Sequence, residues 1–237
     1  MKLVIANRNY SSWSLRPWLL LTEFGIPFEE VVVPFGPTFD DPAWKQGIAA
    51  YSPAGKVPVL LDGAIQIWES LAILEYVAEK RPDLPIWPRD PAARAMARSV
   101  SSEMHAGFSA LRGACPMNLA WVHPARDRGP KVAADVARIA AIWRQARERF
   151  GAEGSFLFGA FSAADAMYAP VVARLVGYSI PLDPLCADYV AAVTASRGYQ
   201  SWRDAAIAEP WIVAEDEVDE PVLTDFRPHL TASRASS

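Results

Sequence analysis

The chain has few of the residues that build disulfide frameworks or metal centres, with two cysteines and three histidines among 237 residues. Cys115 and Cys186 lie far apart and form no C-x-x-C pair, so they fit the reduced thiols of a cytoplasmic protein better than a disulfide framework. His105, His123 and His229 lack the short spacing of metal ligands. We therefore predict a cytoplasmic protein that holds no metal.

Long apolar runs and clusters of positive charge are also missing. No apolar stretch approaches the ~20 residues that a membrane-spanning helix requires. The formal net charge of −4, with no basic run, argues against nucleic acid and membrane as partners. Residues 1–8 read as a short strand followed by polar residues rather than as a secretory signal. What remains is a globular protein of one large domain or two modest ones.

The most informative segment runs from Tyr51 to Val77. Val57–Leu61 is a short apolar run typical of a strand, and Asp62-Gly63 is a hairpin turn dipeptide before an alternating return strand. From Glu69-Ser70 onwards, apolar residues recur at helical spacing. The segment therefore predicts a strand, a tight turn, a second strand and a helix.

Two features of this segment suggest chemistry. A cis Val57-Pro58 bond would turn the Val57 backbone outward as a template for an extended, peptide-like ligand. Glu69-Ser70 at a helix N-terminus would favour an anion, since free N–H groups and the helix dipole meet there. The structural alternatives are an edge proline and a helix-capping serine. Because both features occur in this order, we favour a binding site.

The residues in this segment are similar to those of a known family. Ser-Pro-x-Gly-Lys-Val-Pro-Val-Leu from position 52, then Asp-Gly, then Glu-Ser-Leu-Ala-Ile-x-Glu-Tyr, resembles the glutathione-binding half of the cytosolic glutathione S-transferases. The resemblance implies glutathione as co-substrate and a homodimer. It implies that Val57 and Pro58 pair with the cysteinyl part and that Glu69 and Ser70 bind the γ-glutamyl end. Lys56 would reach the glycyl carboxylate, unless it is a solvated lysine.

The order of elements predicts an α/β, thioredoxin-like domain over residues 1–80. Residues 81–91 contain four prolines and read as a linker. Residues 92–237 show helical patterns only, ending in a flexible polar tail, and resemble the all-helical C-terminal domain of the same family. One apolar stripe runs from Met96 to Leu111 before a break at 113–116, and Ser162 with Asp165 predicts a capping box.

The thiol-activating residue of this family lies just after the first strand. Here residues 10–16 read Tyr-Ser-Ser-Trp-Ser-Leu-Arg, which resembles the Ser-Ser-Cys-Ser-Trp-Arg motif of the zeta class, whose best-known members are maleylacetoacetate isomerases. Aligned on Arg16, the two serines of the motif fall on Ser11 and Ser12, and its cysteine falls on Trp13. The cysteine is therefore absent, and Arg16 itself reads as a helix surface charge.

Three serines are candidates for the catalytic hydroxyl: Ser11, Ser12 and Ser14, with Tyr10 a weaker one. A free thiol titrates near ~8.5, so little thiolate is present at neutral pH. A hydroxyl that donates to the sulfur at a helix N-terminus favours the thiolate. Lowering the pKa of the thiol by about two units requires roughly 3 kcal/mol. The structural alternative is that these serines are turn and N-cap residues.

The pocket for the electrophile is expected between this turn and the first long helix of the second domain. The residues placed to line it are Trp13, Met104, His105, Phe108 and Arg112. Met104 and Phe108 lie on an apolar stripe, which is typical of a core as well as of a pocket. Arg112 would hold an acidic substrate, unless it is a solvated arginine.

We expect a glutathione transferase that conjugates the thiolate of glutathione to a hydrophobic electrophile. One alternative is a glutathione-dependent cis–trans isomerase of a maleylacetoacetate-type diacid, which would use Arg16, Arg112 or Arg174 as cations for the carboxylates. The other is a non-catalytic glutathione-fold binding protein, which needs no catalytic serine. Glutaredoxin-like reduction is disfavoured because the first turn carries no cysteine.

Overall fold

The computed structural model of the protein describes residues 1–227 of the chain. His229 and the serine-rich end of the predicted tail lie outside the described residues. Within residues 1–227, no helix combines the length and the apolar character needed to cross a bilayer.

A four-stranded mixed sheet with three helices forms the first part of the chain. Its elements are β1 (Lys2–Ile5), α1 (Ser12–Glu23), β2 (Glu29–Val32), α2 (Pro42–Ala49), β3 (Val59–Asp62), β4 (Ile65–Trp68) and α3 (Ser70–Lys80). The strand order is β2-β1-β3-β4, with β1 parallel to β2 and antiparallel to β3. Parallel neighbours need a crossover connection, which α1 supplies here.

The β3–β4 hairpin brings the two chemical features of the sequence together. It turns at Asp62-Gly63, where Gly63 has a φ of +61°, a conformation that glycine adopts without steric cost. The Val57-Pro58 peptide bond directly before β3 is cis. Because Val59 pairs with Trp68, the next residue outward on each strand is Pro58 on one side and Glu69 on the other. The proline loop and the start of α3 therefore meet at one end of the sheet.

Beyond α3 the chain is mostly helical. The helices are α4 (Pro91–Ala106), α5 (Ser109–Ala114), α6 (Pro130–Phe150), α7 (Ala163–Gly177), α8 (Pro184–Ala195) and α9 (Arg197–Ala208). At α4 and α8, an aspartate N-cap accepts a backbone hydrogen bond and a proline occupies the first turn, where its missing N–H costs nothing.

The break after α4 lies earlier than the sequence predicts. The stripe from Met96 to Leu111 predicts one helix that ends at 113–116, but the chain turns at Gly107 and Phe108. Phe108 has a left-handed φ of +58°, and a Cβ at Gly107 would lie 2.8 Å from the backbone oxygen of Glu103. Leu111, beyond the turn, is as buried as the core-facing apolar residues of α4. The apolar spacing therefore continues across the break and hides it.

Helix α7 forms the centre of the helical part, and it packs against α1 and α4. The predicted capping box at its start is confirmed: the Ser162 backbone N–H donates to Asp165 Oδ2 at 2.8 Å. The buried carboxylate also accepts a hydrogen bond from the Leu157 N–H at 3.0 Å. One continuous apolar core runs from the sheet through α1 into this helix, so the two parts of the chain pack as one body.

After α9 the chain returns to its N-terminal part. We call residues 209–227 the strap. Its end forms a two-stranded sheet, β5 (Trp121–Val122) with β6 (Thr224–Asp225), which no pattern in the sequence predicts. Carboxylates of the strap pair with distant arginines: Glu209 with Arg8 at 2.9 Å and Glu220 with Arg128 at 2.7 Å. The acidic composition that reads as a tail therefore fixes this segment to the rest of the protein.

Candidate active site

Two cavities open beside the N-terminus of α1. The larger cavity has a volume of about 440 Å³ and the adjoining cavity about 360 Å³. Four residues line both of them: Trp13, Lys56, Val57 and Arg112. One ligand can therefore extend from one cavity into the other along this shared wall.

The three candidate serines have different positions. Ser11 is the N-cap of α1 and Ser12 is its first residue, and both line the larger cavity. Ser14 is fully buried and lines neither cavity. Its Oγ accepts hydrogen bonds from Ser11 Oγ at 2.7 Å and from the Ala6 N–H at 3.3 Å. Ser14 therefore fixes Ser11 and the end of β1, and the Ser11 side chain makes no capping hydrogen bond.

Ser12 has the hydroxyl best placed to donate into the larger cavity. Its Oγ accepts a long hydrogen bond, 3.4 Å, from Nη2 of the buried Arg174. A hydroxyl has one donor and two acceptor positions, and no residue among 1–227 accepts from Ser12, so its O–H remains available. The free N–H groups at the start of α1 add a positive dipole at the same place. This end of the cavity is therefore suited to an anion.

Tyr10 also lines the larger cavity, but its hydroxyl is engaged elsewhere. It donates to Glu217 Oε1 at 2.5 Å and accepts a hydrogen bond from Arg227 Nη2 at 3.1 Å. Burial, with the hydrogen bond to Glu217, raises the pKa of Tyr10 to about 12. The Tyr10 hydroxyl therefore contacts the strap.

Trp13 lies on the wall between the cavities, in contact with two arginines. The guanidinium carbon of Arg16 lies 4.1 Å from the centre of an indole ring, and that of Arg112 lies 4.7 Å away. These are cation–π distances, so the indole stabilises both charges. His105 packs edge-on against the same side chain, with ring centres 5.2 Å apart.

Arg16 is buried, which corrects its interpretation as a helix surface charge. Only 1% of the residue is exposed, and its Nη1 donates to Ser70 Oγ at 3.3 Å. Burial, with the nearby Arg174 and Arg112, lowers the pKa of Arg16 well below its usual range, while Glu69 opposes this. Within residues 1–227 its Nε has no hydrogen-bond partner. A buried cation without a carboxylate partner is costly, and an anion in the adjoining cavity would compensate it.

The five residues that the family resemblance assigns to glutathione meet in the adjoining cavity. They are Lys56, Val57, Pro58, Glu69 and Ser70.

Within that cavity, Ser70 begins α3 and is fully buried, while the exposed Glu69 has a φ of +70°. Among the described residues, the backbone N–H and C=O of Val57 have no hydrogen-bond partner. Free backbone groups beside a helix N-terminus suit an extended ligand with a carboxylate at one end.

Of the five residues expected to line the electrophile pocket, Trp13 and Arg112 lie on the wall of the larger cavity. Met104, on the buried face of α4, and Phe108, in the left-handed turn that follows α4, pack in the core instead.

His105 is also absent from the cavity wall, and its Nε2 lies 3.4 Å from Glu69 Oε2, behind Trp13. Burial and Arg16 lower the pKa of His105 below its usual value.

Part of the lining of the larger cavity is not predicted from the sequence. Its outer wall is formed by aromatic residues and by one carboxylate of the strap: Phe35, Phe39, Trp44 and Asp216. No local signal marks these residues, since they come together only through contacts distant in sequence. Arg174 does carry a signal, because it is a lone cation within the apolar helix α7.

The two cysteines do not line either cavity. Cys115 and Cys186 are both free and buried. In the part of the chain that the structure describes, no group of three or more His, Cys, Asp or Glu side chains is placed to hold a metal ion.

Two family models match the chain. Residues 10–80 match "Glutathione S-transferase, N-terminal domain", and residues 124–205 match "Glutathione S-transferase, C-terminal domain". Together they account for more than half of the chain.

Curated relatives carry several names. A probable maleylacetoacetate isomerase of Caenorhabditis elegans is 44% identical over 28% of this chain and 31% of that protein. The maleylacetoacetate isomerase of Rattus norvegicus is 28% identical over 75% of this chain and 79% of that protein. A dichloromethane dehalogenase of Methylorubrum extorquens is 43% identical over 24% of this chain and 19% of that protein. The match thus spans less than a third of the nematode relative and most of the rat relative.

Solved structures share the fold. A theta class glutathione S-transferase of Xanthomonas axonopodis pv. citri with glutathione bound has a TM-score of 0.59 at 25% identity, covering 84% of this chain and 95% of that one. A bacterial zeta class maleyl pyruvate isomerase has a TM-score of 0.64 at 19% identity, covering 93% and 100%. The predicted fold is confirmed: a thioredoxin-like α/β part followed by a helical part.

Proposed function

Because the chain belongs to the glutathione S-transferase family, we propose that it binds glutathione across the two cavities and activates its thiol at the start of α1. The γ-glutamyl end lies in the adjoining cavity and the sulfur lies in the larger one. Support comes from the shared wall, which lets one tripeptide reach both.

Each end of the tripeptide has a matching group. The α-carboxylate of the γ-glutamyl residue meets Ser70 and the N-terminus of α3, with the buried Arg16 behind them. The α-amino group meets the Glu69 carboxylate. The cysteinyl backbone pairs with Val57, and the glycyl carboxylate meets Lys56.

Thiol activation is assigned to Ser12, with Ser11 as the neighbouring alternative. The Ser12 O–H donates to the sulfur, and the dipole of α1 stabilises the negative charge. Both effects favour the thiolate over the thiol, so they lower the pKa of bound glutathione below the ~8.5 of a free thiol.

The reaction we favour is glutathione-dependent cis–trans isomerisation of an unsaturated acid of the maleyl type. The observation that carries this proposal is the pair of guanidinium groups, Arg112 and Arg174, on the wall of the larger cavity beside Ser12. Arginine is suited to bidentate recognition of a carboxylate. The relatives named maleylacetoacetate isomerase support the same reaction class.

The reaction regenerates the glutathione thiolate, and the substrate changes only the geometry of its double bond. The thiolate forms a C–S bond with one alkene carbon, and the π electrons move through the conjugated carbonyl to its oxygen, which becomes an enolate. The former double bond is now single and rotates. The enolate then re-forms the double bond in the trans geometry and expels the thiolate. Arg174 and Arg112 stabilise the enolate and the carboxylate during these steps.

A second candidate is conjugation, in which the C–S bond persists. The aromatic outer wall and the presence of Trp13 at the cysteine position of the zeta motif favour a hydrophobic electrophile. The two reactions differ in the fate of glutathione, since conjugation consumes it and isomerisation does not.

The experiment has two parts. The ultraviolet absorbance of the thiolate, titrated from about pH 5 to 9 around the free thiol pKa, is expected to give a lowered pKa for bound glutathione. Proton NMR of a singly charged maleyl derivative, such as maleic acid monoamide, with substoichiometric glutathione is then expected to give more than one trans product per glutathione. Consumption of one glutathione per product would favour conjugation, and binding without a pKa shift would favour a non-catalytic binding protein.

A further inference from the structure

Asp216 brings a negative charge to the wall of a cavity that is otherwise cationic. It lines the larger cavity together with Ser12, Arg112 and Arg174. The side chain is half-buried, and among the described residues no hydrogen bond or ion pair occupies its carboxylate. The carboxylate is therefore available to a molecule in the cavity.

The position of Asp216 is fixed from both sides. Before it, the Ala214 N–H donates to the Pro37 backbone oxygen at 3.1 Å. Next to it, Glu215 Oε2 accepts a hydrogen bond from the Phe39 N–H at 2.9 Å. After it, Glu217 accepts the hydrogen bond from Tyr10 described above. These contacts hold the strap against the N-terminal part and so fix the position of Asp216 in the cavity wall.

The charged and titratable groups around Asp216 come from several elements. They are Arg174 on α7, Arg112 on α5, Lys56 before β3, Tyr10 after β1, and Glu215 within the strap. Burial raises the pKa of Asp216 to about 6; Arg174 opposes this and Glu215 adds to it. Tyr10, with its pKa near about 12, stays neutral where Asp216 titrates. The charge of the cavity wall thus changes at Asp216 in weakly acidic solution.

Building on the function proposed above, we propose that Asp216 is a specificity-determining residue that restricts the larger cavity to acceptors with one anionic group. That group pairs with Arg174 and Arg112, whereas a second anion at the strap end meets the Asp216 carboxylate. Like charges at close range repel, and such repulsion discriminates against ligands that carry a second anionic group. A neutral hydroxyl or amide at that end donates to Asp216 instead.

The acceptor class is therefore a singly charged unsaturated acid with a neutral hydrogen-bond donor at its far end. This class excludes acceptors whose second carboxylate would lie beside Asp216. A diacid fits only when its second carboxylate lies outside the strap end, or when Asp216 is protonated.

Two small sulfonates test this without any assumption about turnover. Ethane-1,2-disulfonate carries two charges and 2-hydroxyethanesulfonate carries one, and neither titrates in the range used. Binding of each to the full chain is measured by calorimetry at pH 7.5 and pH 5.0. The variants are Asp216→Asn and, as the control, Asp219→Asn, which removes the same charge from an exposed position of the strap.

At pH 7.5 the wild type and Asp219→Asn are expected to prefer the monosulfonate, and Asp216→Asn is expected to reduce this preference by about tenfold. At pH 5.0 the wild type is expected to approach the variant, because Asp216 is then largely protonated. The wild-type pH comparison tests the proposal even if the variant folds poorly.

Equal preferences in the two variants, or a pH dependence that persists in Asp216→Asn, would overturn the proposal. So would failure of both sulfonates to bind the wild type, since Arg174 and Arg112 would then form no anion site. Glutathione binding is measured on the same samples. Loss of glutathione binding with intact sulfonate discrimination would refute the proposed function alone.

Discussion

Nη1 of Arg16 lies 3.3 Å from Oγ of Ser70, although 54 positions separate the two residues in the sequence. The contact joins the N-terminal half of α1 to the first residue of α3, and the N-termini of these helices face the larger and the adjoining cavity respectively. It places a buried positive charge directly behind the hydroxyl that we assign to the γ-glutamyl carboxylate. The binding of glutathione should therefore depend on a residue that does not line either cavity.

Replacing Arg16 by methionine is expected to weaken glutathione binding by about tenfold, or about 1.4 kcal/mol, because a charged partner of the bound carboxylate is lost. The free energy of unfolding should not fall, because an apolar side chain of similar length replaces an uncompensated buried cation. Calorimetric binding and urea unfolding give the two numbers. Arg197→Met, at an exposed position, is the control. An unchanged dissociation constant in Arg16→Met would contradict the role.

Replacing each of the three serines by alanine should have a different effect on the pKa of bound glutathione. Ser12→Ala is expected to raise the pKa of bound glutathione by about one unit or more, since it removes the free donor at the start of α1. Ser14→Ala should leave that pKa nearly unchanged but lower the free energy of unfolding by about 1–2 kcal/mol, because it removes buried hydrogen bonds. If Ser11→Ala has the larger effect on the thiol pKa, the activating role belongs to Ser11.

The protein's own thiols should be unreactive. Burial raises the pKa of Cys115 to about 11 and that of Cys186 to about 12. Since the thiolate is the reactive form, alkylation by iodoacetamide at pH 8 is expected to be slow in the folded protein and to accelerate as the pH rises. Unfolded protein, with ordinary thiol pKa values near ~8.5, is the matched control. Mass spectrometry measures the alkylation rate of the folded and of the unfolded protein. Rapid labelling of the folded protein would contradict the burial of the two thiols.

The capping box should contribute strongly to stability. Asp165→Ala leaves two buried backbone N–H groups, those of Ser162 and Leu157, without their acceptor. We expect the free energy of unfolding to fall by about 3 kcal/mol. Asp204→Ala, at an exposed position on α9, should change it by less than about 0.5 kcal/mol. Equal midpoints of urea unfolding for the two variants would refute this prediction.

Local signals in the sequence predict much of the fold and part of the site. Asp62-Gly63 fixes the hairpin, and Ser162 with Asp165 fixes the start of α7, because each acts within a few residues of chain. The hairpin in turn brings the cis-proline loop to Glu69-Ser70. The linker at 81–91 stays a prediction.

What the sequence does not predict depends on distant contacts. Phe108 adopts a left-handed conformation that local preference disfavours, and only its packing in the core explains it. Arg16 is buried although arginine is usually exposed, because its guanidinium group packs on Trp13 and donates to Ser70, which is 54 positions away. Asp216 reaches the site through contacts with residues far earlier in the chain.

The strap also sets an order of events during synthesis. The chain is made from its N-terminus at roughly 5–20 residues per second, and early domains fold first. Every residue that we assign to glutathione lies before position 71, whereas Asp216 follows about 145 positions later. A nascent or prematurely terminated chain that ends before the strap therefore contains the residues assigned to glutathione, but its larger cavity lacks the Asp216 carboxylate. Selectivity for the acceptor is therefore acquired only after the glutathione residues have been synthesised.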